Sequence, residues 1–162
     1  MERQPAVHHL RDRIREPARS QGGARKGHRH PPVNVQVGEE LPELVKHPTT
    51  RQLVQYAGSS GGFYEIHYDQ DYARGVELPG VILHGLLKAG FLGQLVTDWL
   101  GDRGTLKVFD VSYRGIDQPG QVYRCRGRVT RVDGNHVELE IWGEDQTGKR
   151  TTVGTATVQM NG

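Results

Sequence analysis

Leu78-Pro79-Gly80-Val81-Ile82-Leu83-His84-Gly85-Leu86-Leu87-Lys88-Ala89-Gly90-Phe91-Leu92-Gly93-Gln94-Leu95-Val96-Thr97-Asp98-Trp99-Leu100 is the stretch that decides the fold of this 162-residue chain. Leu83, Leu86, Leu87, Leu92, Leu95, Val96 and Trp99 recur at steps of three and four residues. That spacing predicts a helix over Val81–Leu100 with a wide apolar stripe. Ala89, Gly90 and Gly93 are small, and a glycine inside a helix costs about 1 kcal/mol relative to alanine. Their presence predicts a close neighbour along the helix: a sheet, a partner helix or a ligand. His84, Lys88, Gln94 and Asp98 interrupt the apolar run, so it does not read as a bilayer span.

Beyond Gly101 the apolar period falls to two. Thr105–Ile116, Gln121–Val132, His136–Asp145 and Arg150–Met160 read as strands, with turns at Asp117-Gln118-Pro119-Gly120, Asp133-Gly134-Asn135 and Thr147-Gly148. Val137, Leu139 and Ile141 alternate with Glu138 and Glu140, which gives the third of these strands one wet face. Upstream, Leu41–Lys46 reads as a short strand closed by Pro48. Thr49-x-x-Gln52 has capping-box spacing and starts a helix with Leu53, Val54 and Tyr56 on its apolar face. Ala57-Gly58-Ser59-Ser60-Gly61-Gly62 ends that helix, Phe63–Tyr68 reads as extended, and Asp69–Arg74 as one or two helical turns. The order implies an α+β domain in which a curved antiparallel sheet wraps a long central helix. A single sheet around one helix leaves an edge and an apolar flank, so a dimer is expected.

Residues 1–32 carry eight Lys/Arg against three acids and almost no large apolar side chains, whereas the whole chain is only +2. This segment reads as a disordered basic tail, because it cannot bury enough surface to offset the entropy of ordering it. Residues 33–162, the domain, are correspondingly acidic on balance, which argues against a nucleic-acid partner. Cys125 is the single cysteine, so an intrachain disulfide and a thiolate cluster are both excluded. With no apolar leader and no membrane span, the expected location is the cytoplasm. No carboxylate–histidine cluster in the domain has metal-ligand spacing, and Gly58–Gly62 follows a helix rather than a strand, unlike a nucleotide loop.

The chemistry concentrates in Tyr56-Ala57-Gly58-Ser59-Ser60-Gly61-Gly62-Phe63-Tyr64-Glu65-Ile66-His67-Tyr68-Asp69 and in Leu78–Leu87. Together these segments resemble the MaoC-like dehydratases and (R)-specific enoyl-CoA hydratases of the hot-dog fold. The motif of that family runs Tyr-Ala-x-x-Ser-Gly-Asp-x-Asn-Pro-Ile-His, followed later by Pro-x-x-x-His-Gly-Met-Leu. Val96-Thr97-Asp98-Trp99 is also similar to mycobacterial fatty-acid and steroid dehydratase subunits. The resemblance implies an enoyl-thioester hydratase or 3-hydroxyacyl-thioester dehydratase acting on an acyl-CoA or acyl-carrier-protein substrate. No cofactor is implied beyond the thioester itself.

Carried over by position, His67 falls on the catalytic histidine, a residue type suited to proton transfer near neutrality. His84 and Gly85 fall on the His-Gly pair that opens the central helix, where the Gly85 N–H would polarise the thioester carbonyl. Gly93 falls where some relatives carry a serine, and Tyr64 replaces the usual Asn. Gly62 stands where the catalytic Asp belongs. In an extended Phe63–Tyr68, Glu65 and His67 would point the same way, so Glu65 is a candidate substitute acid. Two other functions stay open: a silent acyl-thioester-binding subunit paired with a homologous chain, supported by Gly62, and a hot-dog thioesterase using Glu65. The expected partners are an acyl thioester and either a second copy or a homologous subunit, with no membrane or nucleic acid.

Overall fold

The computed structural model describes residues 35–161, and the expectation for residues 1–32 lies outside them. The chain order is β1 (Leu44–Lys46), α1 (Thr50–Ser60), a 3-10 turn (Glu65–His67), α2 (Gln70–Gly75), α3 (Gly85–Leu100), β2 (Gly104–Tyr113), β3 (Tyr123–Asp133), β4 (His136–Glu144) and β5 (Arg150–Met160). The five strands form one antiparallel sheet in the order β1-β3-β4-β5-β2. This is the curled sheet around a central helix that the sequence predicts.

The period-two pattern explains which face of the sheet turns inward. Val137, Leu139 and Ile141 of β4 are at most 1% exposed and join Cys125, Val129, Ala156, Val158 and Met160 in one core. Leu92, Leu95, Val96, Trp99 and Leu100 of α3 fill the concave side. The wet face carries Arg128, Glu140 and Arg150 as a ladder of ion pairs across three adjacent strands. At the other end of β3, Tyr123 reaches so close to Gly143 that no side chain could stand there.

Several elements differ from expectation: β1 starts at Leu44 rather than Leu41, β2 ends at Tyr113 rather than Ile116, and α1, α3 and the segment before α2 depart further. Helix α3 begins at Gly85, not Val81, because Val81–His84 is drawn into other bonds: Ile82 N–H to the Ile66 carbonyl and Leu83 N–H to the Asp117 carbonyl. Glu65–His67 is a 3-10 turn, not an extended segment, closed by His67 N–H to the Tyr64 carbonyl and Tyr68 N–H to the Glu65 carbonyl. Helix α1 starts as expected, with the Thr49 hydroxyl accepting the Gln52 N–H at 3.2 Å. It continues through Gly58 and stops only where Gly61 turns left-handed at φ 73°, a conformation that favours glycine.

Candidate functional site

The head of α3 faces the 3-10 turn and the end of α1 across a cleft of about 210 Å³. Its walls are Tyr56, Ser60, Gly62, Tyr64, His67, His84, Gly85 and Leu86. Residue 82 holds the turn in place twice, since its N–H donates to the Ile66 carbonyl and its carbonyl lies 2.9 Å from His67 Nδ1. A carbonyl can only accept, so in the neutral form of His67 the proton sits on Nδ1 and Nε2 keeps its lone pair.

His84 stacks on His67 with ring centroids 3.8 Å apart and planes at 22°. The His84 ring is buried, and its Nε2 faces the Gly62 carbonyl at 3.3 Å, which places the His84 proton on Nε2. Nδ1 of the same ring has no hydrogen-bond partner. Burial lowers the His84 pKa from its ordinary 6.5, and the neighbouring His67 lowers it further, while the bond to Gly62 acts in the opposite direction. His84 is therefore a neutral ring at pH 7. Tyr56 meets it edge-on at 4.9 Å.

His84 is the N-cap residue of α3 but makes no side-chain cap bond. The amides of Gly85 and Leu86 belong to the first turn, where no intrahelical acceptor exists. They stand at the positive end of a 16-residue helix, and both residues line the cleft. An oxygen that gains negative charge would be stabilised there. Gly85 is closely packed: a Cβ built on it would lie 2.9 Å from the ring of Tyr113, which would have to shift.

Of the residues singled out in the sequence, His67, Gly62, Tyr64, His84 and Gly85 come together at this cleft. Gly93 does not; it lies two turns along α3, where a Cβ would sit 4.0 Å from Phe109. Glu65 is also absent from the walls, and the alternation argument that paired it with His67 fails because the segment is helical. No Asp or Glu lines the cleft among the described residues. At Gly62 a Cβ would meet the Ser60 hydroxyl at 3.2 Å and His84 Cδ2 at 3.7 Å, so a side chain fits if the hydroxyl gives slightly. Tyr56 and Ser60 stand in the quoted motif, yet only the helical extension of α1 to Ser60 shows that they reach the cleft. Among the described residues no three His, Cys, Asp or Glu side chains gather as metal ligands.

The model of the MaoC-like domain family matches residues 31–161. The chain belongs to that family. The beta subunit of 3-oxo-4,17-pregnadiene-20-carboxyl-CoA hydratase from Mycobacterium tuberculosis is 26% identical over 128 residues, covering 77% of this chain and 95% of that protein. The fatty acid synthase beta subunit TOXC of Cochliobolus carbonum is 29% identical over 134 residues, 78% of this chain but 6% of that much longer protein. The (R)-hydratase of A. caviae involved in PHA biosynthesis superposes with a TM-score of 0.75 at 21% identity, over 80% of this chain and 99% of its own. The fold is thus the hot-dog fold, and the family's chemistry is of the hydratase and dehydratase type. Among the described residues no helix is long and apolar enough to cross a membrane.

Proposed function

We propose that this chain adds water to 2-enoyl thioesters, or removes it from 3-hydroxyacyl thioesters, with His67 moving the proton. One observation carries the reading. His67 is locked by the Ile82 carbonyl in the tautomer that leaves Nε2 free as a base, within a cleft that also contains the unpaired amides opening α3. In hydration, His67 Nε2 takes a proton from water as the water oxygen bonds to C3 of the enoyl group. The electrons of the double bond shift toward the thioester carbonyl, whose oxygen gains charge facing the amides of Gly85 and Leu86. The proton then passes to C2. Dehydration follows the same path backwards. Tyr64, edge-on to His67 at a centroid distance of 6.3 Å, supplies an aromatic wall for the acyl portion.

A second reading draws on the missing carboxylate. With no acid among the described walls of the cleft, the chain fits a thioester-binding subunit that pairs with a homologous, catalytically complete chain. The Mycobacterium tuberculosis relative is itself named as a beta subunit, which supports this reading.

The deciding experiment follows loss of enoyl-thioester absorbance for the purified protein and for a Gly62→Asp variant on the same short- and medium-chain substrates. Turnover by the unmodified protein establishes the hydratase. Turnover only in the variant favours the subunit reading, since a restored carboxylate contributes about 10²–10⁴-fold as a general acid or base. Silence in both rejects hydration, and release of free thiol in its place identifies a thioesterase.

A further inference from the structure

Two buried charges directly behind the cleft have no part in the steps above. Lys88 and Asp117 are 3% and 4% exposed, with Nζ and Oδ2 2.8 Å apart. Lys88 Nζ also donates to the Gly115 carbonyl at 3.0 Å. The Asp117 carboxylate accepts the Thr151 hydroxyl, with oxygen separations of 2.8 and 3.0 Å. The main chain of Asp117 adds a further bond, its carbonyl accepting the Leu83 N–H at 2.8 Å. Residue 117 thus grips both Leu83 and Lys88, the two ends of the segment that carries His84 and Gly85.

The grip extends to the far side of Gly85. Tyr113 lies so close to Gly85 that a Cβ there would force the ring to move, and Lys88 Nζ stands 5.7 Å from the centre of the same ring. A buried ion pair is a poor choice for stability alone, because apolar residues of similar volume often do as well or better. What the pair provides is fixed geometry: donors and acceptors of set length at both ends of a six-residue span.

We propose that Lys88 and Asp117 are positioning residues, which orient the Gly85 and Leu86 amides and the His84 ring before a ligand arrives and touch no substrate themselves. The proposal rests on the reading of the cleft as a thioester site. Its direct test is a Lys88→Met/Asp117→Asn double variant, which removes both charges, nearly keeps the volumes and retains the main-chain bond from Leu83. Hydration kinetics and side-chain spectra of ¹⁵N-histidine-labelled protein are recorded for this variant, for Asp117→Asn alone and for the unmodified chain.

The expected result is a folded protein whose kcat falls about 10–100-fold, as misplacement of a reacting group does. KM stays within about threefold, because the loss falls on the transition state rather than on binding. The His84 ring resonances move. Unchanged kcat together with superimposable His84 spectra overturns the proposal. If the unmodified protein hydrates nothing, the functional reading fails on its own, and the spectra still decide: displaced His84 resonances support the positioning role, and superposition rejects it. If the double variant does not fold, Asp117→Asn is judged by the same criteria.

Discussion

His67 and His84 lie ring on ring, 3.8 Å apart, and opposite backbone carbonyls fix their protons: Ile82 holds Nδ1 of one and Gly62 holds Nε2 of the other. Two imidazolium ions at that separation would repel, and His84 is the ring that burial has placed where charge is least tolerated. His84 is therefore a neutral ring stacked against His67. Its bond to Gly62 also ties the end of α1 to the head of α3.

The pH dependence of stability follows from the depressed His84 pKa. The unfolded chain binds a proton at His84 near pH 6.5, whereas the folded chain binds it only at a lower pH. Between those two values the unfolded state holds more protons, so stability falls as pH drops through that window. Above 6.5 this contribution is complete. Thermal unfolding from pH 8 to pH 5 should show a decline beginning near 6.5, and a His84→Asn variant should flatten that part of the profile. A variant with the same decline as the unmodified protein would assign it to other groups.

His67→Asn and Glu65→Gln should separate sharply. Asparagine can still donate to the Ile82 carbonyl but has no basic nitrogen, so hydration should fall by about 10²–10⁴-fold. Glu65 does not line the cleft, and its change to Gln should leave kcat within about twofold, as for a group outside the reacting geometry. Equal losses in the two variants would restore Glu65 as the acid of the site and require the turn to open in the complex.

Much of this was legible in advance. The apolar steps of α3 and the alternation in β4 gave the central helix and the inward face of the sheet, since both depend on local period alone. His67, Gly62, Tyr64, His84 and Gly85 of the two motif segments line one cleft, whereas Gly93 and Glu65 do not. What escaped the sequence depended on contacts between distant segments. The start of α3 at Gly85 is set by bonds from Ile82 and Leu83 to Ile66 and Asp117, up to 34 residues away. Lys88 read as a polar break in an apolar run, because nothing in the sequence places Asp117 beside it. The extended reading of Phe63–Tyr68 failed for a similar reason: the aromatic spacing allows a strand, but main-chain bonds within the turn and the stitch to Ile82 select a 3-10 conformation.

Gly85→Ala should destabilise the protein although alanine is the better helix former. The new Cβ would come within 2.9–3.2 Å of three ring atoms of Tyr113, the nearest of them closer than real Cβ contacts come, so the ring must shift. Overpacking of this kind costs about 1–3 kcal/mol, while alanine at the first helical position gains less than the roughly 1 kcal/mol of a helix interior. Adding Tyr113→Ala should recover part of the loss, so that the double variant is more stable than the sum of the two single changes. Additive values from denaturant unfolding would show that Tyr113 swings clear without strain.

Lys88→Met isolates the consequence of leaving one buried charge without its partner. The Asp117 carboxylate would keep the Thr151 hydroxyl but lose its only charged contact among the described residues, in a site where it is 4% exposed. Breaking a buried pair from one side costs about 3–5 kcal/mol, because the remaining ion has neither water nor a counter-charge. Unfolding of Lys88→Met by urea at pH 7.5 checks this: the deficit against the unmodified protein should be of that size, and a deficit below about 1 kcal/mol would mean that water reaches Asp117 once the lysine is gone.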